Sequence, residues 1–117
     1  MDVYPLSSLR DLHAASGGPW LEFARSVDLS AGLYVIEAGG VDGQAPHTED
    51  EVYYVIRGRA ALISNGARTE VAPGSVAFVA AGSEHRFVDI SDDLEVLVFW
   101  SPARHSNEPG DGSQGAA

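Results

Sequence analysis

The spacing of hydrophobic positions changes once along the chain. Across residues 6–15, LSSLRDLHAA, Leu9 and Leu12 recur three apart, which predicts a short helix with Ser7 or Ser8 as its cap. Gly17-Gly18-Pro19 ends that pattern. From Trp20 onward the apolar residues fall in short runs of β-branched and aromatic types bounded by turn residues. Those runs are Trp20–Val27, Leu33–Glu37, Glu51–Ile56, Ala60–Ile63, Arg68–Val71, Val76–Val79, Arg86–Ile90 and Leu94–Trp100. They predict about eight or nine short strands. Asn65-Gly66 between two such runs is a strong hairpin signal, because both residues tolerate the left-handed backbone of a tight turn. No strand alternates with a long helix, so the pattern points to an antiparallel sandwich or barrel. The last run, Leu94–Trp100, is apolar on both faces. It is either central in a sheet or half-covered by a partner subunit. From about Ala103 the chain reads as a Gly, Ser, Ala and acid tail with nothing to bury, and 103–117 is expected to be mobile.

The chain has 117 residues, enough for one domain with one modest core. Seventeen acids stand against seven basic residues, all Arg, for a formal charge of −10. Such a chain repels phosphate backbones and anionic lipid, which argues against nucleic-acid or membrane partners. It has no cysteine, which excludes disulfides, thiol nucleophiles and thiolate metal sites. No apolar run is long enough to span a bilayer, and the acidic start at Asp2 lacks a signal-peptide pattern. A soluble, cytoplasmic protein is expected.

Candidate chemistry rests on two of the four histidines. His13 lies in the helix and His105 in the tail, and both read as solvated or capping residues. His47 opens the stretch His47-Thr48-Glu49-Asp50-Glu51-Val52-Tyr53. Alternate residues of an extended chain share a face, so His47, Glu49, Glu51 and Tyr53 can point together if the strand holds from His47 on, with Asp50 toward water and Glu49 left undecided. A histidine beside carboxylates suits a hard-to-borderline metal ion. His85 follows the turn Ala80-Ala81-Gly82 and starts another strand, where an antiparallel neighbour would carry it opposite that group. Arg57, Arg59 and Arg86 are expected to point outward, while Trp20, Trp100, Phe78, Phe87 and Phe99 read as core or interface aromatics.

The two stretches together resemble the paired motifs of the cupin superfamily over roughly residues 30–101. His47, Glu51 and Gly58 stand at the second His, the Glu and the closing Gly of the first motif. Gly74, Gly82 and His85 stand at matching places of the second, with Ala80 where proline is usual and Asp89 where asparagine is usual. Ala45 occupies the place of the first motif's first histidine and cannot ligate. The resemblance implies an all-β, double-stranded β-helix (jelly-roll) barrel over 19–102, preceded by an arm with a short helix over 1–18. It implies one divalent transition metal, Fe, Mn, Ni or Zn, held by His47, Glu51 and His85, with Gln44 or Glu49 as minor candidates for a fourth ligand. Two histidines and one carboxylate make the facial triad of non-haem iron sites. Glu49 and Tyr53 are the candidates for proton transfer on a small organic molecule. The reading is a dioxygenase or an isomerase or lyase, assembled as a homodimer through the last strand and the region of Trp20 and Trp100. The competing readings are a non-catalytic small-molecule-binding cupin and a metal-free isomerase using His47 or His85.

Overall fold

The computed structural model of the chain describes residues 1–43 and 46–106. One helix, α1 (Leu6–Ser16), precedes six strands: β1 (Trp20–Arg25), β2 (Ser30–Ile36), β3 (Asp50–Ser64), β4 (Ala67–Val71), β5 (Val76–Val79) and β6 (His85–Ser101). All pair antiparallel in one sheet of order β1-β2-β6-β3-β4, with β5 added to β3. The sheet curls around Tyr34, Tyr53, Phe87, Leu94, Val98 and Trp100, which belong to one buried cluster. This is a jelly-roll barrel with one N-terminal helix.

The strand count is lower than expected because two pairs of runs are continuous. Residues 51–56 and 60–63 both belong to β3, and 86–90 and 94–100 both belong to β6. The polar residues between them bend the strands without ending them, and the β3–β6 register shifts between Val55 and Ala61. Gly58 sits at that bend with φ 99, and a Cβ there would lie 2.3 Å from the Asp93 carbonyl oxygen. Only glycine lets the two backbones approach so closely. Gly58→Ala should therefore destabilise the fold by more than about 1 kcal/mol, read as a lower urea midpoint at unchanged slope. An unchanged midpoint would mean the bend tolerates a side chain.

The hairpin at Asn65-Gly66 forms as expected. Both residues have positive φ, 50 and 83, and Ser64 pairs Ala67 across the turn. The helix forms too, but its cap differs. Pro5 is the N-cap, and its carbonyl accepts the amides of Ser8 and Leu9, so Ser7 and Ser8 lie inside the helix. His13 does not cap the helix: its Nε2 meets the carbonyl of Pro19, beyond the helix end, at 2.8 Å, and Gly17 in the left-handed conformation is the C-cap. From α1, Arg10 forms a forked ion pair with the buried Glu95 on β6, at 2.7 Å for Nη2 to Oε1.

Three expectations are refined. Of the two tryptophans read as core or interface aromatics, Trp100 is fully buried in the core, and the partly buried Trp20 packs edge-on against it at 4.8 Å. The tail reading fails at its start, because Ala103 and Arg104 are buried and the Arg104 amide donates to Ser30 Oγ at 2.8 Å. Arg104 supplies the cation that the tail's composition hid, lying over both indoles, 5.4 Å from Trp20 and 5.1 Å from Trp100. Residues 107–117 lie outside the described residues. Phe78, read as a core or interface aromatic, is not in the core: it is 67% exposed on β5. Arg57, Arg59 and Arg86 do point outward.

Candidate metal centre

His47, Glu51 and His85 come together inside the barrel, each offering a ligand atom within 4.8 Å of the others. All three are buried. Glu51 lies near the start of β3, where alternation turns it inward with Tyr53. His47 and Glu49 precede the strand yet keep the same inward parity. Asp50 faces out, as expected, and accepts the Ala81 amide at 2.9 Å. The Gly82 amide donates to the His47 carbonyl at 2.7 Å. These two bonds lock the loop before β6 against the loop before β3.

His85 reaches Glu51 by a route other than the expected one. Its register partner on β3 is Ser64, at the far end of the strand from Glu51. The two meet across the barrel interior because β3 and β6 both bend.

The ring of His85 is oriented by its own neighbour. Nδ1 lies 2.8 Å from the Ser83 carbonyl oxygen, which can only accept, so Nδ1 carries the proton. In the neutral ring Nε2 then presents a lone pair, and it sits 2.9 Å from Glu51 Oε1. Two acceptors at that distance repel unless a proton or a metal ion lies between them. Burial pushes the His85 pKa down, but the Glu51 carboxylate, the Ser83 carbonyl and the charge of Asp42 outweigh it, and the net shift is upward.

The buried carboxylates show what sets Glu51 apart. Asp42, Glu49, Glu51 and Glu95 are all at most 5% exposed. Glu95 has Arg10. Asp42 accepts the Tyr34 hydroxyl at 2.6 Å and the Phe87 amide at 2.8 Å. Glu49 accepts the Thr48 hydroxyl and the His105 amide. Glu51 has only the His85 ring, and neither of its oxygens forms a hydrogen bond of proper geometry, nor does Nε2 of His47. A buried anion without donors costs several kcal/mol. A divalent cation among these orphaned atoms removes that cost, so the residues fit a metal.

The other expected residues divide. Tyr53 is fully buried, its ring 6.0 Å from His85 and 5.0 Å from Phe87. Glu49 is buried but stands apart from the three-residue cluster, holding the chain at His105. Gln44 and Ala45 lie outside the described residues. Asp89 is exposed and pairs with Arg68 at 2.6 Å, away from the cluster.

Three nearby residues were not among the site residues expected from the sequence. Asp42 ties β2 to β6 beside the cluster, and burial, then its hydrogen bond and charge, push the Tyr34 pKa up, so that hydroxyl keeps its proton. One acid in a Gly-rich loop carries no signal for this role. Asp42→Ala leaves the Phe87 amide and Tyr34 hydroxyl unsatisfied, an expected loss of about 1–3 kcal/mol in a denaturant melt. His105, read as a tail residue, holds its ring 6.4 Å from that of His47. Trp100 stands 5.6 Å from His47, and its buried Nε1 has no hydrogen-bond partner among the described residues.

Comparison with known proteins agrees with this architecture. The family profile described as "Cupin domain" matches residues 32–102. An uncharacterized protein of Streptomyces coelicolor is 47% identical over 102 residues, covering 87% of this chain and 97% of that protein. A Cupin 2 conserved barrel domain protein from Salinispora arenicola superposes with a TM-score of 0.66 at 21% identity, over 86% of this chain and 87% of that one. The DMSP lyase DddQ from Ruegeria pomeroyi superposes with a TM-score of 0.62 at 24% identity, over 73% of this chain and 42% of the lyase.

Proposed function

The chain belongs to the cupin family, and on that premise we propose that it is an enzyme of lyase or isomerase type acting on a small organic molecule at one divalent transition ion. The ion is held by His47, Glu51 and His85. The observation that carries this reading is the buried Glu51 carboxylate, whose one close partner is Nε2 of a buried, pre-oriented histidine at 2.9 Å, with Nε2 of His47 unpartnered beside it. A bound ion supplies Lewis-acid polarisation of a substrate oxygen. The chain's own residues do the rest. Ser83 holds His85 in the ligating tautomer. Tyr53 faces the interior beside His85 and is the better placed proton-transfer group. Glu49, with both oxygens engaged, acts as a positioning residue. The lyase reading draws support from the shared fold with DddQ.

A dioxygenase is the second reading, favoured by the donor set itself, since two histidines and one carboxylate suit Fe(II). Both readings are tested by incubating protein with a panel of small oxygen-bearing organic acids under argon and under air, followed by proton NMR. The lyase or isomerase reading expects product under argon, abolished by chelator and restored by added metal. Product only under air would transfer the case to the dioxygenase. Product that survives chelation would favour the metal-free isomerase.

The proposal includes a homodimer. Its contact is placed on the outer face where Tyr54 pairs with Val76 and Val52 pairs with Phe78. Tyr54, Val76 and Phe78 are 41%, 67% and 67% exposed, an apolar strip on the outside of the barrel. Phe78→Asp should halve the mass seen by light scattering, and an unchanged mass would move the interface elsewhere. No helix among the described residues is long and apolar enough to cross a membrane, and a cytoplasmic location completes the proposal.

A further inference from the structure

We propose that the segment Pro102–Ser106 delivers His105 to the metal as a third imidazole ligand, an inference that rests on the metal-binding reading above. The course of this segment is fixed at every residue that matters. The Arg104 amide donates to Ser30 Oγ at 2.8 Å, and the Arg104 carbonyl accepts from Arg25 Nη2 at 2.8 Å. The Arg104 guanidinium lies over Trp100, whose ring in turn packs 5.6 Å from His47. The His105 amide donates to Glu49 Oε1 at 3.1 Å. Glu49 lies between His47 and Glu51 in sequence, so the residue that anchors the segment belongs to the stretch that supplies two of the ligands.

The result is a third imidazole beside the cluster. The His105 ring is 6.4 Å from that of His47, close to the 6.0 Å that separates His47 from His85. Its backbone takes φ 67, in the left-handed region uncommon for residues other than glycine. An unusual backbone held by a buried carboxylate, at the edge of a donor-starved cluster, is the arrangement expected of a ligand arm. Two histidines and one carboxylate fill only three positions, whereas first-row ions accept four or more and favour imidazole. His105 stands outside the group of ligand atoms lying within 4.8 Å. It joins by rotation of its side chain while Glu49 holds its amide in place.

Co(II) is the probe, because it is paramagnetic and takes the same ligands. Wild type, His105→Ala and His105→Gln are loaded with Co(II), and the contact-shifted imidazole N–H protons are counted by NMR. Glutamine fills the ring's space without offering an imidazole, and a thermal melt of each metal-free protein reports whether it folds. The expected result is three such signals in wild type and two in both variants, with affinity for Co(II) lowered at least about tenfold. Two signals in wild type overturn the proposal, even if affinity falls, because His105 would then act only by positioning. Three signals retained in the variants overturn it as well. Either outcome leaves the three-residue metal site standing. Wild type that takes up no Co(II) overturns both readings.

Discussion

Affinity for a divalent ion is expected to rise at least about tenfold per pH unit below the pKa of His85, because that ring must lose a proton to ligate, and to level off once the ligands are deprotonated. The ion and the proton compete for the same Nε2 lone pair. Nδ1 is already committed to the Ser83 carbonyl, so the ring ligates only after Nε2 has lost its proton. Burial alone would make that loss easy, but Glu51, Ser83 and Asp42 together raise the pKa above its ordinary value. The competition therefore extends above about pH 6.5, the usual histidine value. Stability without metal should run the other way. A folded-state pKa above the unfolded one means that protonated His85 stabilises the fold fully below about pH 6.5. That contribution is lost as pH rises through the folded pKa. Denaturant melts across this range, with and without Zn(II), should give opposite slopes: falling stability with pH for the metal-free protein, rising stabilisation by metal for the loaded one. A metal affinity flat across the same range would show that His85 is not a ligand.

Trp100→Ala is expected to cost about 3–5 kcal/mol, the range for removing a large aromatic from a close-packed core. Trp100 is fully buried on β6 and touches three parts of the structure at once. Its ring meets Trp20 at 4.8 Å, His47 at 5.6 Å and the Arg104 guanidinium at 5.1 Å. The substitution opens a cavity, frees the C-terminal segment and removes the wall behind His47. Much of the stability of a chain this size would go with it. Urea unfolding monitored by circular dichroism measures the loss, and a change below about 1 kcal/mol would mean that Trp100 is peripheral to the core.

Alternation along β3 was readable from the sequence because strand geometry is local. Glu51 and Tyr53 are buried and Asp50 is not; His47 and Glu49 are buried as well, although the strand begins only after them. The Asn65-Gly66 turn was readable for the same reason. The fused strands were not, since Arg57-Gly58-Arg59 and Ser91-Asp92-Asp93 look like turns. Their backbones stay in the ladder at a bend where the paired β3 and β6 shift register. The meeting of His85 with Glu51 is a tertiary event, produced by the curl of two long strands; the spacing of the paired motifs pointed to it, but the strand register alone would not. Composition misled at the C-terminus. A Gly- and Ser-rich tail hid Arg104, which finds two indoles, and His105, which finds Glu49.

The metal content of tag-free protein, measured by mass spectrometry before and after loading with Fe(II), Mn(II), Ni(II) and Zn(II), tests the central claim most directly. The claim that His47, Glu51 and His85 hold an ion predicts close to one equivalent in wild type and none in His85→Ala. Equal metal in the two proteins, or none in wild type after loading, would contradict it.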